Sequence, residues 1–598
     1  MTKLIFNDKP GWFTDSQLKQ VVFAGWEKFS KKHSLAKGIL KSQDIRLEHP
    51  VDSSYGDYSS NLAMVVFSRV KDDLKAKNPF ELAGLIAGEI KKMDMVEKIE
   101  AALPGFINFW LSEKYLLENS RRYLGKEFDK EIAQTGKGKT VVIDYSAPNI
   151  AKPFGIGHLR STTIGQAIYN LYSVLGWKTI GDNHLGDWGT QFGKLIVAIK
   201  GWWTGELADL TITDLEKLYV RFHKEAEQNS KLDDQAREWF KRLEDGDKEA
   251  KKIWQWCVDV SVSEFDRIYK LLSVKIDYAY GESFYLDEDR MKKVVADAKT
   301  KKLLKISEGA QVIDIGEKVP AMLVKSDGAS TYLLRDLATI AFRNQTWSPD
   351  LLVYEVGMDQ KFHLNQVFKT ADKLGYFDKD RLVHVAHGMI RWADCKFSTR
   401  KGKTIHLEEI LNEAVSRASQ IVENSGTSKG LKDKEKDKVA KTVGIAGVKF
   451  NDLKQEPERD IVFDWDKTLS LEGYSAPYLQ YTYARALSVL SKSSFSDRRP
   501  FEDDKANLNK EEIDLLRVFD RFEETILSAA ENFSPHMVCQ YLFSLSQKFN
   551  LFYQKCRIID PKGKEKDKQG LRLFLTATTA IILKKGLTIL GIDVLDRM

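Results

Sequence analysis

Thr140-Val141-Val142-Ile143-Asp144-Tyr145, followed by Ser146-Ala147-Pro148-Asn149, is the stretch on which the fold turns. β-branched residues run into a Ser/Pro/Asn turn, which reads as a short strand and its exit. From His158 the period changes. Leu159, Ile164, Ile168, Leu171, Tyr172 and Leu175 share one helical face, and Gly176 stops the helix. Residues 177–182 read as a second strand, so strand, helix and strand form a βαβ unit. Residues 351–356 and 382–387 look like further buried strands between helical segments. That alternation predicts an α/β domain with a doubly wound parallel sheet.

Working outward, residues 200–290 are charged, Trp-rich and helical in period, and read as an insertion between two halves of the sheet domain. Residues 1–112 read as an α+β unit. In it, residues 49–60 form a loop, a helix begins at Asn61, another starts at Asn78-Pro79, and Phe106-Ile107-Asn108-Phe109-Trp110-Leu111 is a strand. Residues 113–139 form a charged linker. The sheet domain spans 140–410, helices at 411–470 connect it onward, and 471–598 is helical throughout.

The chain has 598 residues, 43% of them apolar, which suits packed domains. At roughly 150 residues per domain, about four modules are expected. Lys and Arg total 92 against 86 Asp and Glu, for a net charge of +6. That surplus is too small to coat a protein in nucleic acid but permits local anion-binding surfaces. Cys257, Cys395, Cys539 and Cys556 form no CxxC pair, so neither a disulfide framework nor a structural zinc site is expected, and the setting is a reducing cytosol. Residues 1–8 lack the apolar stretch of a signal peptide, and no apolar run is long enough to span a membrane.

Three glycine-containing segments bear on phosphate binding. Gly136-Lys137-Gly138-Lys139-Thr140 ends like a P-loop, but Ala133 stands where its first glycine belongs, and it precedes a strand instead of following one. It reads as a linker. Gly155-Ile156-Gly157-His158 follows a strand and opens a helix, where backbone N–H groups favour an anion. It is half of a dinucleotide fingerprint, with Asp182 or Asp187 as the acidic partner; Arg160 replaces the third glycine. The glycines also suit a close nucleotide, with His158 on its phosphates and Lys152 and Arg160 adding charge. Lys396-Phe397-Ser398-Thr399-Arg400-Lys401-Gly402-Lys403 packs cations and hydroxyls into a loop after a strand. Such a loop at the mouth of a parallel sheet suits a pyrophosphate leaving group.

Taken together, these segments resemble the HIGH and KMSKS signatures of class I aminoacyl-tRNA synthetases. The flanking strings resemble the arginyl-tRNA synthetases: Asp144 through Pro153, His158-Leu159-Arg160-Ser161-Thr162, Asn183 through Gly193, Gly281-Glu282-Ser283, Tyr332 through Asp336, Gly357-Met358-Asp359-Gln360, Pro477 through Tyr481, and Asp596-Arg597-Met598. Gly56-Asp57-Tyr58 and Pro104 through Asn108 resemble the family's added N-terminal domain. Gly155 departs from the first histidine of HIGH, and Thr399 from the second lysine of KMSKS. In this family Lys152 is thought to stand in for that lysine.

The resemblance implies a Rossmann-like catalytic domain with a helical insertion, an α+β N-terminal tRNA-binding domain and an all-α anticodon-binding domain. It implies an arginine–tRNA ligase: ATP, with Mg²⁺, activates L-arginine to arginyl-AMP, and the arginyl group passes to the terminal adenosine of tRNA-Arg. His158, Lys152, Lys396 and Arg400 are the implied catalytic residues. Gly155, Gly157, His158, His384, Gly388, Met389, Lys396 and Ser398 are implied for ATP. Asp144, Asn149, His184, Glu282, Tyr332, Asp336 and Gln360 are implied for arginine.

A guanidinium is a planar fork of donors and needs carboxylates. Asp144, Glu282 and Asp336 qualify, and which of them meets the guanidinium stays open. Asp336 also reads as half of an ordinary surface pair on a helix, and Asp144 as a satisfied strand-end carboxylate. His384 and His387 lack a third metal ligand nearby, so no protein-held metal is expected; His384 reads as packing or an adenosine contact. Tyr474, Tyr478, Tyr481, Tyr483 and Arg485 read first as core and second as an anticodon surface. A cytoplasmic monomer with no membrane partner is expected. Gly155 and Thr399 motivate one alternative, a tRNA-binding paralogue with reduced activity; a nicotinamide enzyme is another.

Overall fold

A computed structural model of the chain describes residues 13–36, 38–74, 76–286, 288–392, 406–424, 430–493, 508–560 and 566–598. Its organising element is a five-stranded, wholly parallel sheet. The strands are β1 (Thr140–Asp144), β2 (Lys178–Leu185), β3 (Tyr278–Gly281), β4 (Leu351–Gly357) and β5 (Leu382–His387), in the order β5-β4-β1-β2-β3. Val141 pairs with Leu351 on one side and Thr179 on the other. The strand order reverses between β1 and β4, and the crevice at their carboxyl ends is where such sheets bind ligands. Edge strand β3 lies inside the range expected for the helical insertion. Its Tyr278-Ala279-Tyr280-Gly281 run is too short and too exposed to show a strand period.

Helix α1 (Gly157–Val174) follows β1 and is buried on nearly every face. One side meets the sheet and the other the C-terminal helices, so polar Ser161, Thr162, Thr163 and Gln166 are buried as well. Gly176 ends it at φ 83°, where a Cβ would lie 1.9 Å from the Ala133 carbonyl. The insertion is helical from Gln191–Trp202 through α2 (Lys248–Leu272). Beyond β3, a three-stranded antiparallel sheet (Leu304–Ser307, Ala310–Ile313, Ala321–Val324) precedes α3 (Tyr332–Trp347), and α4 (Lys361–Lys373) joins β4 to β5.

The N-terminal unit is a four-stranded antiparallel sheet with Phe106–Leu111 as an inner strand. Asn78 caps the helix Pro79–Ala87 through the Glu81 N–H, as its sequence suggests. Residues 49–60, expected as loop, end in the strand Tyr58–Ser60, whose pairing with Phe106–Leu111 only the tertiary fold supplies. After Leu407 the regular structure of the described residues is helical, including α5 (Asp433–Leu453), except for the strand Ile461–Phe463, which pairs in parallel with Ile390–Trp392. A continuous apolar core joins Phe13, Tyr145, Tyr172, Phe522 and Leu590. Among the described residues, no helix is long and apolar enough to cross a membrane.

Candidate active site

The loop from β1 to α1 carries backbone strain at its start. Ser146, Ala147 and Ala151 adopt φ of 77°, 44° and 62°, a left-handed region costly to residues with a Cβ. The surroundings hold them there. Ser161 Oγ accepts from the Ser146 N–H at 2.9 Å, Asn183 Oδ1 from the Ala147 N–H at 2.9 Å, and Ser261 Oγ from the Ala151 N–H at 2.9 Å. Tyr269, on α2 with Ser261, bonds both Ser146 Oγ (2.8 Å) and Asn183 Nδ2 (2.9 Å). Asn149 lies against Gly186 of the loop after β2, where a Cβ would approach Asn149 Oδ1 to 2.4 Å.

At the start of α1, the Gly155 N–H donates to His158 Nδ1 at 3.2 Å. That bond leaves the ring proton on Nε2, so the imidazole presents a donor outward. Burial, aided by the charges of Lys152 and His387, pushes the His158 pKa down, and the ring is a neutral donor. A Cβ on Gly157 would meet nothing within 4 Å, so the space before this helix end is open. Lys152 is exposed, with Nζ 5.5 Å from the Tyr219 ring. Arg160, expected to add charge beside the phosphates, is buried instead, with Nε 2.8 Å from Asp452 Oδ1 on α5, and its charge acts on His387.

On β5, His384 Nε2 lies 3.2 Å from the Val356 carbonyl, and His387 Nδ1 lies 3.0 Å from Glu355 Oε1. Burial opposes charging His387, but the Glu355 carboxylate prevails and raises its pKa. Gly388 packs against residues 457–460: its N–H donates to the Pro457 carbonyl at 3.0 Å, and a Cβ would lie 2.7 Å from Arg459. Met389 is 66% exposed. Lys396, Ser398 and Arg400 lie outside the described residues. The residues that follow are anchored at the site: Gly155 bridges His406, and the Leu407 N–H donates to Phe154 O at 2.8 Å.

Acidic residues gather on the other side of the crevice, over β2, β3 and α3. Glu282 is half-buried and within electrostatic reach of His184, Arg335, Asp187 and Asp336, and burial raises its pKa. Arg335 approaches Glu282 at 3.4 Å, with its guanidinium carbon 5.1 Å from the ring centre of Tyr332, which is 69% exposed. Asp336 Oδ2 lies 2.5 Å from His363 Nε2. His184 stacks on Tyr285, ring centres 5.2 Å apart. The Gln360 amide donates to Asp359 at 2.8 Å. Asp144 gives one carboxylate oxygen to Arg343 at 2.8 Å and keeps Oδ1 buried without a hydrogen-bond partner.

The two acids weighed for a dinucleotide ribose are both engaged elsewhere. Asp182 is fully buried and takes Arg343 Nε at 2.8 Å, and Asp187 accepts the Ser283 N–H at 2.8 Å and its hydroxyl at 2.5 Å. Glu355, Arg335, Arg343 and His363 were not anticipated. A carboxylate inside the apolar run Leu351-Leu352-Val353-Tyr354-Glu355-Val356 was a readable signal for Glu355. Arg343 and His363 carry no such signal.

Three family models match the chain: "tRNA synthetases class I (R), catalytic domain" over residues 124–465, "DALR anticodon binding domain" over 479–598, and "Arginyl tRNA synthetase N terminal domain" over 26–111. The arginine–tRNA ligase of Clostridioides difficile is 38% identical over 565 residues, covering 94% of this chain and 97% of that one. That of Fusobacterium nucleatum is 40% identical over 559 residues, covering 93% and 95%. Among solved structures, the arginyl-tRNA synthetase from Plasmodium falciparum aligns with a TM-score of 0.83 at 24% identity, covering 97% of this chain and 98% of that one. The Thermus thermophilus arginyl-tRNA synthetase aligns at 0.79 and 22%, covering 97% and 99%. At those identities the two structures speak to the fold.

Proposed function

From the premise that the chain belongs to the class I arginyl-tRNA synthetases, and is an arginine–tRNA ligase that uses ATP, we propose how its residues divide the reaction. The carboxylate of arginine attacks the α-phosphate of ATP, pyrophosphate leaves, and the arginyl group moves to a ribose hydroxyl of the terminal adenosine of tRNA. No side-chain nucleophile is required. Negative charge grows on the phosphates as the bond to pyrophosphate breaks, so donors fixed in advance lower that barrier.

His158 Nε2–H and Lys152 face the phosphates over the open end of α1. Gly155 and Gly157 admit the nucleotide to the backbone, while His384, Gly388 and Met389 border its adenosine. Lys396, Ser398 and Arg400 serve the pyrophosphate leaving group, a role supported by the anchoring of His406 and Leu407 on Gly155 and Phe154. Mg²⁺ enters with ATP. Glu282 and Asp336 meet the guanidinium beside Tyr332; Asn149, His184 and Gln360 hold the polar remainder of arginine. Asp144 adds negative field from beneath, with Arg343 fixing it.

The observation that carries this reading is the pairing of two kinds of group across the crevice: a neutral imidazole donor with an ammonium after β1, and the carboxylates of Glu282 and Asp336 after β3 and on α3. A second surface lies in the helical C-terminal region. Tyr481, Arg485, Tyr553, Arg597 and Met598 line a cavity of about 440 Å³, with the Arg485 guanidinium 4.7 Å and 5.1 Å from the two tyrosine rings. We assign it to unpaired anticodon bases, which aromatic and guanidinium planes stack upon. The enzyme acts as a cytoplasmic monomer. ATP–pyrophosphate exchange, run with each amino acid and with tRNA present, tests the reading. Exchange dependent on arginine alone is expected; no exchange under any condition sinks it and leaves a tRNA-binding paralogue.

A further inference from the structure

The groups assigned to the substrate guanidinium already hold cations of the chain itself. Arg335 sits on Glu282 at 3.4 Å and over the Tyr332 ring at 5.1 Å, and His363 Nε2 sits on Asp336 Oδ2 at 2.5 Å. The two cations differ in kind. A guanidinium stays charged throughout the working pH range, whereas an imidazole gains and loses its proton within it. The His363 and Asp336 side chains are each about one-third exposed, at 30% and 31%, so an incoming group can reach the pair.

We propose that His363 is a resident cation that occupies Asp336 while the arginine pocket is empty, and that the substrate must take Asp336 from it. This rests on the assignment of Asp336 to the guanidinium. In the protonated state the imidazolium makes a charge-assisted bond to the carboxylate and neutralises it. Arginine then gains Asp336 only by displacing a cation. When the imidazole is neutral, the carboxylate keeps its charge and the guanidinium meets no rival. His363 is a specificity residue in this sense: it lets a permanent cation win where a weak one yields.

The surrounding charges fit this division. Asp336 is the charge that acts on the imidazole, and its hydrogen bond raises the His363 pKa. Glu282, from the segment after β3, and Tyr354, from β4, couple to Asp336, and Arg335 on α3 couples to Glu282. Lys361, on the same turn as His363, acts on His384.

The test is the KM for arginine in exchange with tRNA, measured from pH 6 to 8.5 on the full-length enzyme, for wild type, His363→Gln and His363→Asn. The wild-type KM is expected to rise by about tenfold as pH falls across the imidazole range. Both variants are expected to stay nearly flat and to bind arginine several-fold more tightly than wild type at pH 6. Calorimetry at pH 6.5 in two buffers of different ionisation enthalpy is expected to show a proton released on arginine binding to wild type and none for the variants. Parallel pH profiles overturn the proposal. So does a KM raised by both variants at every pH, which would make His363 a support for Asp336. Asp336→Asn tests the underlying assignment separately: an unchanged KM with that variant removes Asp336 from the pocket, whatever His363 does.

Discussion

Arg343 closes an ion pair of 2.8 Å with Asp144 at a position where the guanidinium side chain is 1% exposed. Its Nε takes Asp182 at the same distance, so one cation ties the ends of β1 and β2 together beneath the crevice. Removing it leaves two carboxylates buried without a partner, a change that typically costs about 3–5 kcal/mol. Arg343→Met is therefore expected to lower unfolding stability by that order in urea or thermal melts. A loss below about 1 kcal/mol would mean the pair is dispensable.

Lys152 stands beside His158 and has an aromatic ring as its neighbour, with no ion pair among the described residues. A lysine that serves a leaving group matters more in the transition state than in the bound state. Lys152→Ala should lower kcat for arginine-dependent exchange by about a hundredfold or more, with little change in the KM for arginine. An unchanged kcat removes Lys152 from the mechanism.

Asp520, at the seam between the N-terminal unit and the C-terminal helices, accepts Thr14 Oγ at 2.9 Å, Asn119 Nδ2 at 2.7 Å and Tyr58 OH at 3.2 Å. Burial, helped by the charge of Glu524, pushes its pKa from 3.8 up to about 6. The folded state then holds this proton more tightly than the unfolded chain. Stability from this group is full below pH 3.8, is lost as pH rises from 3.8 to about 6, and is flat above that. Asp520→Asn, whose amide can donate to the Tyr58 oxygen, should raise the Tm at pH 7.5. It should also remove that part of the pH dependence, read by thermal melts from pH 4 to 8.

Lys449 on α5 is buried and donates to the carbonyls of Leu272 and Gly591; burial pushes its pKa down to about 8. It therefore links the C-terminus of α2, the helix that holds the strained loop, to the segment after the last helix. Lys449→Met strands both carbonyls, at a cost of about 1–3 kcal/mol each if they stay buried. We expect a lower Tm and faster proteolysis of residues 591–598. Identical cleavage rates would count against the link.

Residues 140–182 disclose the βαβ unit because a β-branched run gives way to apolar residues at period 3.6 within one unbroken stretch. Strand β3 was hidden because four residues at an exposed edge carry no period, and Ile461–Phe463 because it is a strand only through its partner Ile390–Trp392. The reach of Glu282 to His184 and Asp336 follows from the order of the parallel strands, which no local pattern encodes.

By itself the sequence determined the chemistry on offer: a Gly-His helix start, a cationic loop, and carboxylates within long strings shared with one enzyme family. It also determined the doubly wound class of the sheet, since local period and turn residues depend on near neighbours in the chain. Only the tertiary structure decided how each charge is used. Arg160 became an interdomain tie to Asp452, Asp144 a partner of Arg343, and Asp336 a carboxylate held by His363. The reason is physical: a charge buried on folding must find its opposite. These partners lie 27 to 292 residues away in the chain, where only the packed fold brings them into reach.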